Sequence, residues 1–183
     1  MKKFFRTYGL LFLLAGLVVA LDQITKIYIR ANFIEGGYDM WAPWDWMLPY
    51  ARILYVTNTG VAFGMFRGMW SVFTVLAIIV IIGIIYYFPR VPRGDLALRL
   101  AMGFQMGGAT GNLIDRLTQN GQVTDFISVG DFPVFNIADS SITIGVAIML
   151  LGVWLQERRD KKAREMASEE AGDVSSTTDS NAG

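Results

Sequence analysis

The acids are the residues of this chain best placed to do chemistry. The sequence holds no His and no Cys. That excludes Ser-His-Asp and Cys-His catalysis, imidazole proton relays, thiolate or imidazole metal sites, and disulfides. An enzyme of this composition draws its acid and base from Asp, Glu, Lys or Tyr. Asp22, Asp115, Asp125, Asp131 and Asp139 stand out by position. Two of them lie in apolar surroundings, within Val123-Thr124-Asp125-Phe126-Ile127 and Phe132-Pro133-Val134-Phe135-Asn136-Ile137-Ala138-Asp139. Two Asp carboxyls buried together cannot readily both ionise, so they share one proton. One then acts as base toward a water while the other, protonated, polarises a carbonyl. This aspartic-protease chemistry needs no metal and no cofactor, and the sequence offers neither a phosphate-cradling glycine loop nor a metal cluster of suitable spacing.

The elements that must position these acids are membrane helices. The chain is 183 residues long, 53% hydrophobic, with a mean hydropathy of +0.40, above the range usual for a soluble domain. Sixteen Lys and Arg balance sixteen Asp and Glu, which argues against a nucleic-acid partner. Four stretches approach the roughly 20 apolar residues a span requires: 7–29, 69–88, 96–117 and 136–156. The first also carries signal-peptide features, a basic start and small residues at Val18 and Ala20. Its apolar pattern continues through Ile24, Ile27, Tyr28 and Ile29, which reads as one uncleaved helix. The expected fold is therefore all-α and integral to the membrane, with residues 1–156 as one four-helix unit. Residues 157–183, charged and rich in Ser and Thr toward the end, read as a solvated, disordered tail.

Lys and Arg fall mostly on one side of these spans: Lys2, Lys3, Arg6, Arg90, Arg93, Arg99 and the run from Arg158 to Arg164. The positive-inside rule makes that side cytoplasmic, with both termini inside and the loops 30–68 and 118–135 outside. The first outer loop carries Trp41, Trp44, Trp46 and Tyr50, an interfacial aromatic belt. Its part 51–66 reads as a short strand pair turning at Asn58-Thr59-Gly60, a small β-rich cradle on the membrane surface. Gly103, Gly107 and Gly111 recur every four residues in the third span, a spacing that admits a neighbouring helix closely.

Asp22, Asp115 and Asp139 all fall toward the outer ends of their spans, and Asp125 lies in the second outer loop. A charge near a bilayer's centre costs on the order of 3 kcal/mol, so this convergence needs explaining. Each acid has a bland explanation. Asp22 can pair with Lys26 four residues on. Asp115 adjoins Arg116, which can snorkel to the headgroups. Asp139 would occupy the third helical position if Asn136 caps the helix. A small transporter or proton-relay protein is the competing functional class, yet the acids gather at one face and the span 69–88 has no polar relay residue.

Five blocks in order decide among these readings. They are Asp22-Gln23-Ile24-Thr25-Lys26; Asn58-Thr59-Gly60-Val61-Ala62-Phe63-Gly64; Gly107-Gly108-Ala109-Thr110-Gly111-Asn112-Leu113-Ile114-Asp115-Arg116; Val123-Thr124-Asp125-Phe126; and Phe135-Asn136-Ile137-Ala138-Asp139-Ser140. With them the chain resembles the bacterial lipoprotein signal peptidase family (signal peptidase II) from about Leu21 to Gly145, with no departure at a functional position. The resemblance implies a membrane aspartic endopeptidase that removes the signal peptide from diacylglyceryl-modified prolipoproteins. The cut falls before the lipidated Cys, near the outer face of the bacterial cytoplasmic (inner) membrane. It implies Asp125 and Asp139 as the catalytic pair, and Asn112, Arg116, Asn136 and Asn58 as substrate-binding positions. Asp22 and Asp115 become supporting polar residues. It also implies membrane lipid and the prolipoprotein as partners, and inhibition by globomycin-type cyclic peptides. A monomer is expected, since one chain contains the whole site. The position of Asp139 near a helix N-terminus and the apolar neighbours of Asp125 suggest that Asp139 carries the charge and Asp125 the proton.

Overall fold

The computed structural model describes residues 2–58 and 69–180. Helix α1 (Lys2–Asn32) runs unbroken through the polar notch at Asp22 and Lys26. Helix α2 (Trp70–Tyr87) contains no charged residue and gives way to a 3-10 turn at Phe88–Arg90. Pro89 lacks an N–H, and Val91, just ahead of Pro92, is extended (φ −72°, ψ 124°), as the residue before a proline prefers. Helix α3 (Leu96–Thr118) starts on Asp95, whose carboxylate accepts the Leu98 N–H at 3.0 Å as an N-cap. It ends in Asn120 and Gly121, both left-handed (φ 52° and 84°). The α4 helix (Ile137–Ser180) closes the described chain.

Three stretches are long and apolar enough to cross a membrane: Phe4–Asn32, Trp70–Arg90 and Ile137–Lys162. Their outer faces expose Leu13, Leu17 and Ile24 on α1, Ile79 and Ile82 on α2, and Leu150, Leu151 and Val153 on α4. Apolar faces of that extent suit lipid, not water. The other expected span, now α3, differs in kind. Its 23 residues reach about 35 Å, a spanning length, but it is less apolar because it is enclosed. Helices α1, α2 and α4 all pack on it, and it carries more buried residues than any other described element.

The glycines of α3 make that enclosure possible. A methyl at Gly103 would lie 2.8 Å from Leu14 Cδ2, at Gly107 2.6 Å from Val18 Cβ, and at Gly111 2.6 Å from Asp22 Oδ2. The stripe therefore seats α1 turn for turn, as expected from its spacing. One residue over, a methyl at Gly108 would strike the Ala138 carbonyl and lie 2.5 Å from Ser141 Oγ, so that glycine seats α4. At the end remote from the acids, Leu11, Ile84, Phe88, Val91, Met102 and Met106 form an apolar cluster. Arg99 clamps it, donating to the carbonyls of Val91 (3.2 Å) and Thr7 (3.1 Å) with its guanidinium over the Phe88 ring.

The two loops at the acid-bearing end form one small sheet. Strand β1 (Ala51–Asn58) pairs antiparallel with β2 (Val123–Val129), setting Val56 opposite Asp125 and Asn58 opposite Val123. The second strand of the pair expected inside 51–66 lies outside the described residues. Among the described residues the partner of β1 comes from the second loop, where Val123–Val129 supplies a β-branched, half-apolar run. Beyond Asn58, the expected turn at Thr59-Gly60 and the residues up to Phe66 lie outside the described residues. Isolated bridges widen both edges, with Glu35 against Tyr55 and Trp41 against Ile53 on β1 and Phe135 against Ile127 on β2. Trp41 and Ile53 exchange backbone hydrogen bonds (2.8 and 2.7 Å), and Phe135 and Ile127 do the same (3.0 and 2.8 Å). The chain turns between Ile127 and Phe135 at Gly130 (φ 51°).

Helix α4 continues past its apolar part, through the stretch expected to be an irregular tail, as far as Ser180. Residues 157–171 are rich in Glu, Lys, Arg and Ala, strong helix formers that favour extending the helix.

Candidate active site

The bridge between Ile127 and Phe135 brings the chain back beside β2, so that Asn136 arrives next to Asp125 just as α4 begins. Asn136 then caps α4. Its Oδ1 accepts the Asp139 N–H at 2.9 Å, and Asp139 Oδ2 accepts the Asn136 N–H at 3.3 Å. This reciprocal pair is a capping box. The Asn136 Nδ2 donates to Asp125 Oδ1 at 2.7 Å, to Asn112 Oδ1 at 3.1 Å and to the Thr124 carbonyl at 3.3 Å. One fully buried asparagine thus binds Asp125 through its side chain and Asp139 through its backbone.

Each carboxylate has a second amide. Asn112 Nδ2, from α3, donates to Asp139 Oδ1 at 2.7 Å. Asn58 Nδ2, diagonal to Asp125 on the same face of the sheet, donates to Asp125 Oδ2 at 3.3 Å. Asp125 is only 3% exposed. Burial pushes its pKa up to about 7, with the charge of Asp139 adding to the shift and the Asn58 and Asn136 amides opposing it.

Behind the pair lies a buried ionic cluster centred on Lys26. Its ammonium meets Asp22 Oδ2 at 2.9 Å, Asp115 Oδ2 at 3.2 Å and Asn112 Oδ1 at 2.9 Å, so all three of its protons are used. Asp22 Oδ1 accepts the Ala138 N–H at 2.9 Å, a further cap on α4 from α1. Asp115 Oδ2 accepts the Thr124 N–H at 2.9 Å, which ties α3 to β2. Arg30 stands 3.6 Å from the other Asp115 oxygen and donates to Thr124 Oγ1. An ammonium only donates, so Lys26 fixes which way the Asn112 amide points. Its oxygen must face Lys26, and its NH₂ must face Asp139.

The paired acids sit at the head of a cavity of about 790 Å³. Phe73, Leu76, Ala77 and Val80 of α2 form one wall and Ile142, Ile144 and Val146 of α4 the other, with Gln105, Ala109, Asn112 and Arg116 of α3 as the floor. Both α2 and α4 rest on α3, and the cavity runs between them. Arg116 reaches into it, with its guanidinium 5.8 Å from the centre of the Phe73 ring, and forms no ion pair among the described residues. Two carboxyls bound to a common asparagine, one of them with its pKa near neutrality, can hold one proton between them beside an apolar channel. That is an arrangement for adding water to a carbonyl.

The sequence pattern that defines signal peptidase (SPase) II matches residues 14–155. The chain belongs to the signal peptidase II family. It is 40% identical over 158 residues to the lipoprotein signal peptidase of Shouchella clausii (strain KSM-K16), covering 83% of this chain and 97% of that protein. Its identity to the lipoprotein signal peptidase of Bacillus subtilis (strain 168) is 36% over 161 residues, or 84% and 98% of the two chains. Two solved bacterial membrane enzymes, both determined by the in meso method, share its fold. One superposes with a TM-score of 0.73 at 35% identity, over 81% of this chain and 90% of the other. The second gives 0.69 at 36% identity, over 79% and 92%.

For this signal peptidase II chain the structure gathers Asp125, Asp139, Asn58, Asn112 and Asn136 into one hydrogen-bonded group, with Arg116 on the same cavity. Asp22 and Asp115 stand behind it on Lys26. Asp131 is exposed and lies outside this group. The pairing of Asp22 with Lys26 and the Asn136 cap are both present as local features. What single residues do not reveal is that Lys26 joins two acids and an asparagine from two helices. Gln23, Arg30 and Thr124 also belong to the cluster. For Gln23 and Arg30 the sequence signal is position alone, since Gln23, Lys26 and Arg30 recur at helical spacing beside Asp22.

Proposed function

We propose that the chain is an aspartic endopeptidase that removes the signal peptide from diacylglyceryl-modified prolipoproteins, cutting before the lipidated Cys, with Asp125 and Asp139 as the catalytic pair. The observation that carries this is the joint hold of Asn136 on both carboxylates at the head of the channel between α2 and α4. The relatives from Shouchella clausii and Bacillus subtilis, both lipoprotein signal peptidases, supply the substrate class.

In the proposed cycle Asp139 is ionised and Asp125 holds the proton. Asp139 takes a proton from a water as its oxygen adds to the scissile carbonyl carbon, and Asp125 gives its proton to the carbonyl oxygen. Collapse of the tetrahedral intermediate returns a proton from its hydroxyl to Asp125 while Asp139 protonates the leaving amine of the Cys. The C–N bond breaks and the pair is restored. The α4 N-terminus and the Asn112 NH₂ favour charge on Asp139, and the burial of Asp125 favours its proton. Asn58, Asn112 and Asn136 orient the two acids, and Arg116 positions substrate from the channel floor.

Membrane placement follows the same reading. Helix α3 is the fourth span, both termini are cytoplasmic, and the sheet with the acids lies at the outer face of the bacterial inner membrane, as the Lys and Arg distribution supports. The gap between α2 and α4 opens toward lipid, so a substrate whose acyl chains stay in the bilayer reaches the acids sideways. Globomycin-type cyclic peptides are expected to fill the same cavity. Residues 157–183 form a cytoplasmic extension outside the peptidase unit, which works as a monomer.

The test is cleavage of a diacylglyceryl-modified prolipoprotein by the purified chain in detergent. Wild type should cut before the lipidated Cys, and Asp125→Asn and Asp139→Asn should each lose about a thousandfold or more in rate while staying folded. Full activity in either variant would remove that residue from the catalytic pair.

A further inference from the structure

The channel carries one polar group that the chemistry above does not use. Ser140, Thr143 and Gln105 all line it below the acids. Ser140 Oγ donates to the Asn136 carbonyl and Thr143 Oγ1 to the Asp139 carbonyl, each at 2.9 Å, so both hydroxyls are satisfied within α4. The Gln105 side chain makes no hydrogen bond among the described residues. It lines the channel together with Leu76, Ala77, Val80, Ile144 and Val146. A polar side chain at such depth is costly unless something meets it. Its stem is held firmly: a methyl on Gly145 would lie 2.9 Å from Gln105 Cγ, so the glycine lets the side chain lie against the α4 backbone.

A peptide crossing lipid as a helix satisfies its own backbone, but a peptide bond presented to two carboxylates must leave the helix. Every residue unwound on the way leaves an N–H and a C=O without partners in an apolar channel. A glutamine amide offers one acceptor and two donors, the complement of a peptide group. We infer that Gln105 binds the backbone of the unwound stretch of the signal peptide, on the side that descends into the membrane from the cut. Gln105 lies seven residues below Asn112 on α3, roughly 10 Å along the helix, and extended chain advances about 3.3 Å per residue, so its partner lies about three residues before the scissile bond. This assignment rests on the peptidase reading and adds to it the place where the substrate's helix must end.

The experiment pairs a side-chain change with a backbone change. Gln105→Met keeps the length and fills the apolar site, so the fold should hold, and a thermal melt of each preparation checks that it does. Synthetic lipidated substrates carry a single ester in place of the amide at each of the five positions before the cut. The expected result is a KM about tenfold higher for Gln105→Met on the all-amide substrate, with kcat within about twofold. In wild type the ester two to four residues before the cut should give a similar rise in KM, and that ester should add nothing further in Gln105→Met. An unchanged KM in Gln105→Met overturns the inference, as does an ester effect that multiplies with the mutation at every position. In both cases wild-type cleavage of the all-amide substrate leaves the peptidase reading standing. A wild-type chain that cuts none of the substrates removes both.

Discussion

Asn136 has one side-chain amide and one backbone N–H, and it commits them to different carboxylates. The charge of the pair then depends on what else each acid meets. For Asp125 burial dominates and holds its pKa near 7. The ordinary Asp value is about 3.9, so between about pH 4 and pH 7 the folded state keeps a proton that the unfolded chain has lost. Stability therefore falls as pH rises through that window. In the proposed cycle cleavage uses the same proton, so it should be lost above about pH 7, and kcat/KM measured from about pH 5 to about pH 9 should show that descending limb. Lys26 acts at the same scale by fixing the Asn112 amide. Lys26→Met would leave Asp22 buried without a cation and Asp115 with Arg30 alone at 3.6 Å, a loss of about 3 to 5 kcal/mol that a denaturation midpoint would register. Adding Asp22→Asn to Lys26→Met should restore part of that stability, because it removes the stranded charge.

At the scale of elements, the acids meet because α1 and α4 both come close to α3. Gly111 is the crossing point, with Asp22 Oδ2 and the Ala138 Cβ both within 3.3 Å of where its methyl would be. Gly111→Ala should therefore cost about 1 to 3 kcal/mol and displace the Asp22 cap on α4. Gly83→Ala is the control, since nothing lies within 4 Å of its added methyl; its melting temperature should hold or rise slightly, as expected when a helical glycine is replaced. The glycine spacing and the Asn136 cap were both legible in the sequence because they are local, set by helical periodicity and by adjacent residues. The partner of β1 was not. Strand pairing between segments so far apart in the chain depends on which apolar runs the fold brings side by side, and nothing local to Ala51–Asn58 points to Val123–Val129.

The whole molecule makes a claim about sides of a membrane, and the lack of any Cys makes it easy to test. Single cysteines placed at Gly37 and Asp131 should react with a membrane-impermeant thiol reagent from outside intact cells. One at Arg93 should react only after permeabilisation. The reverse pattern would invert the topology. Composition and order alone determined much about this protein: no His or Cys chemistry, helices long and apolar enough for lipid, and five motif blocks that place it among the signal peptidase II family. These are properties of residue type and of spacing along the chain. Tertiary structure decided three things that spacing could not express. It enclosed α3, so that a less apolar helix could sit among apolar ones. It joined the two loops in one sheet that carries Asn58 to Asp125. It also made Lys26 the centre of a buried cluster that sets the direction of the Asn112 amide. Each depends on contacts between residues far apart in the chain, where burial and hydrogen-bond satisfaction, not local preference, choose the partner.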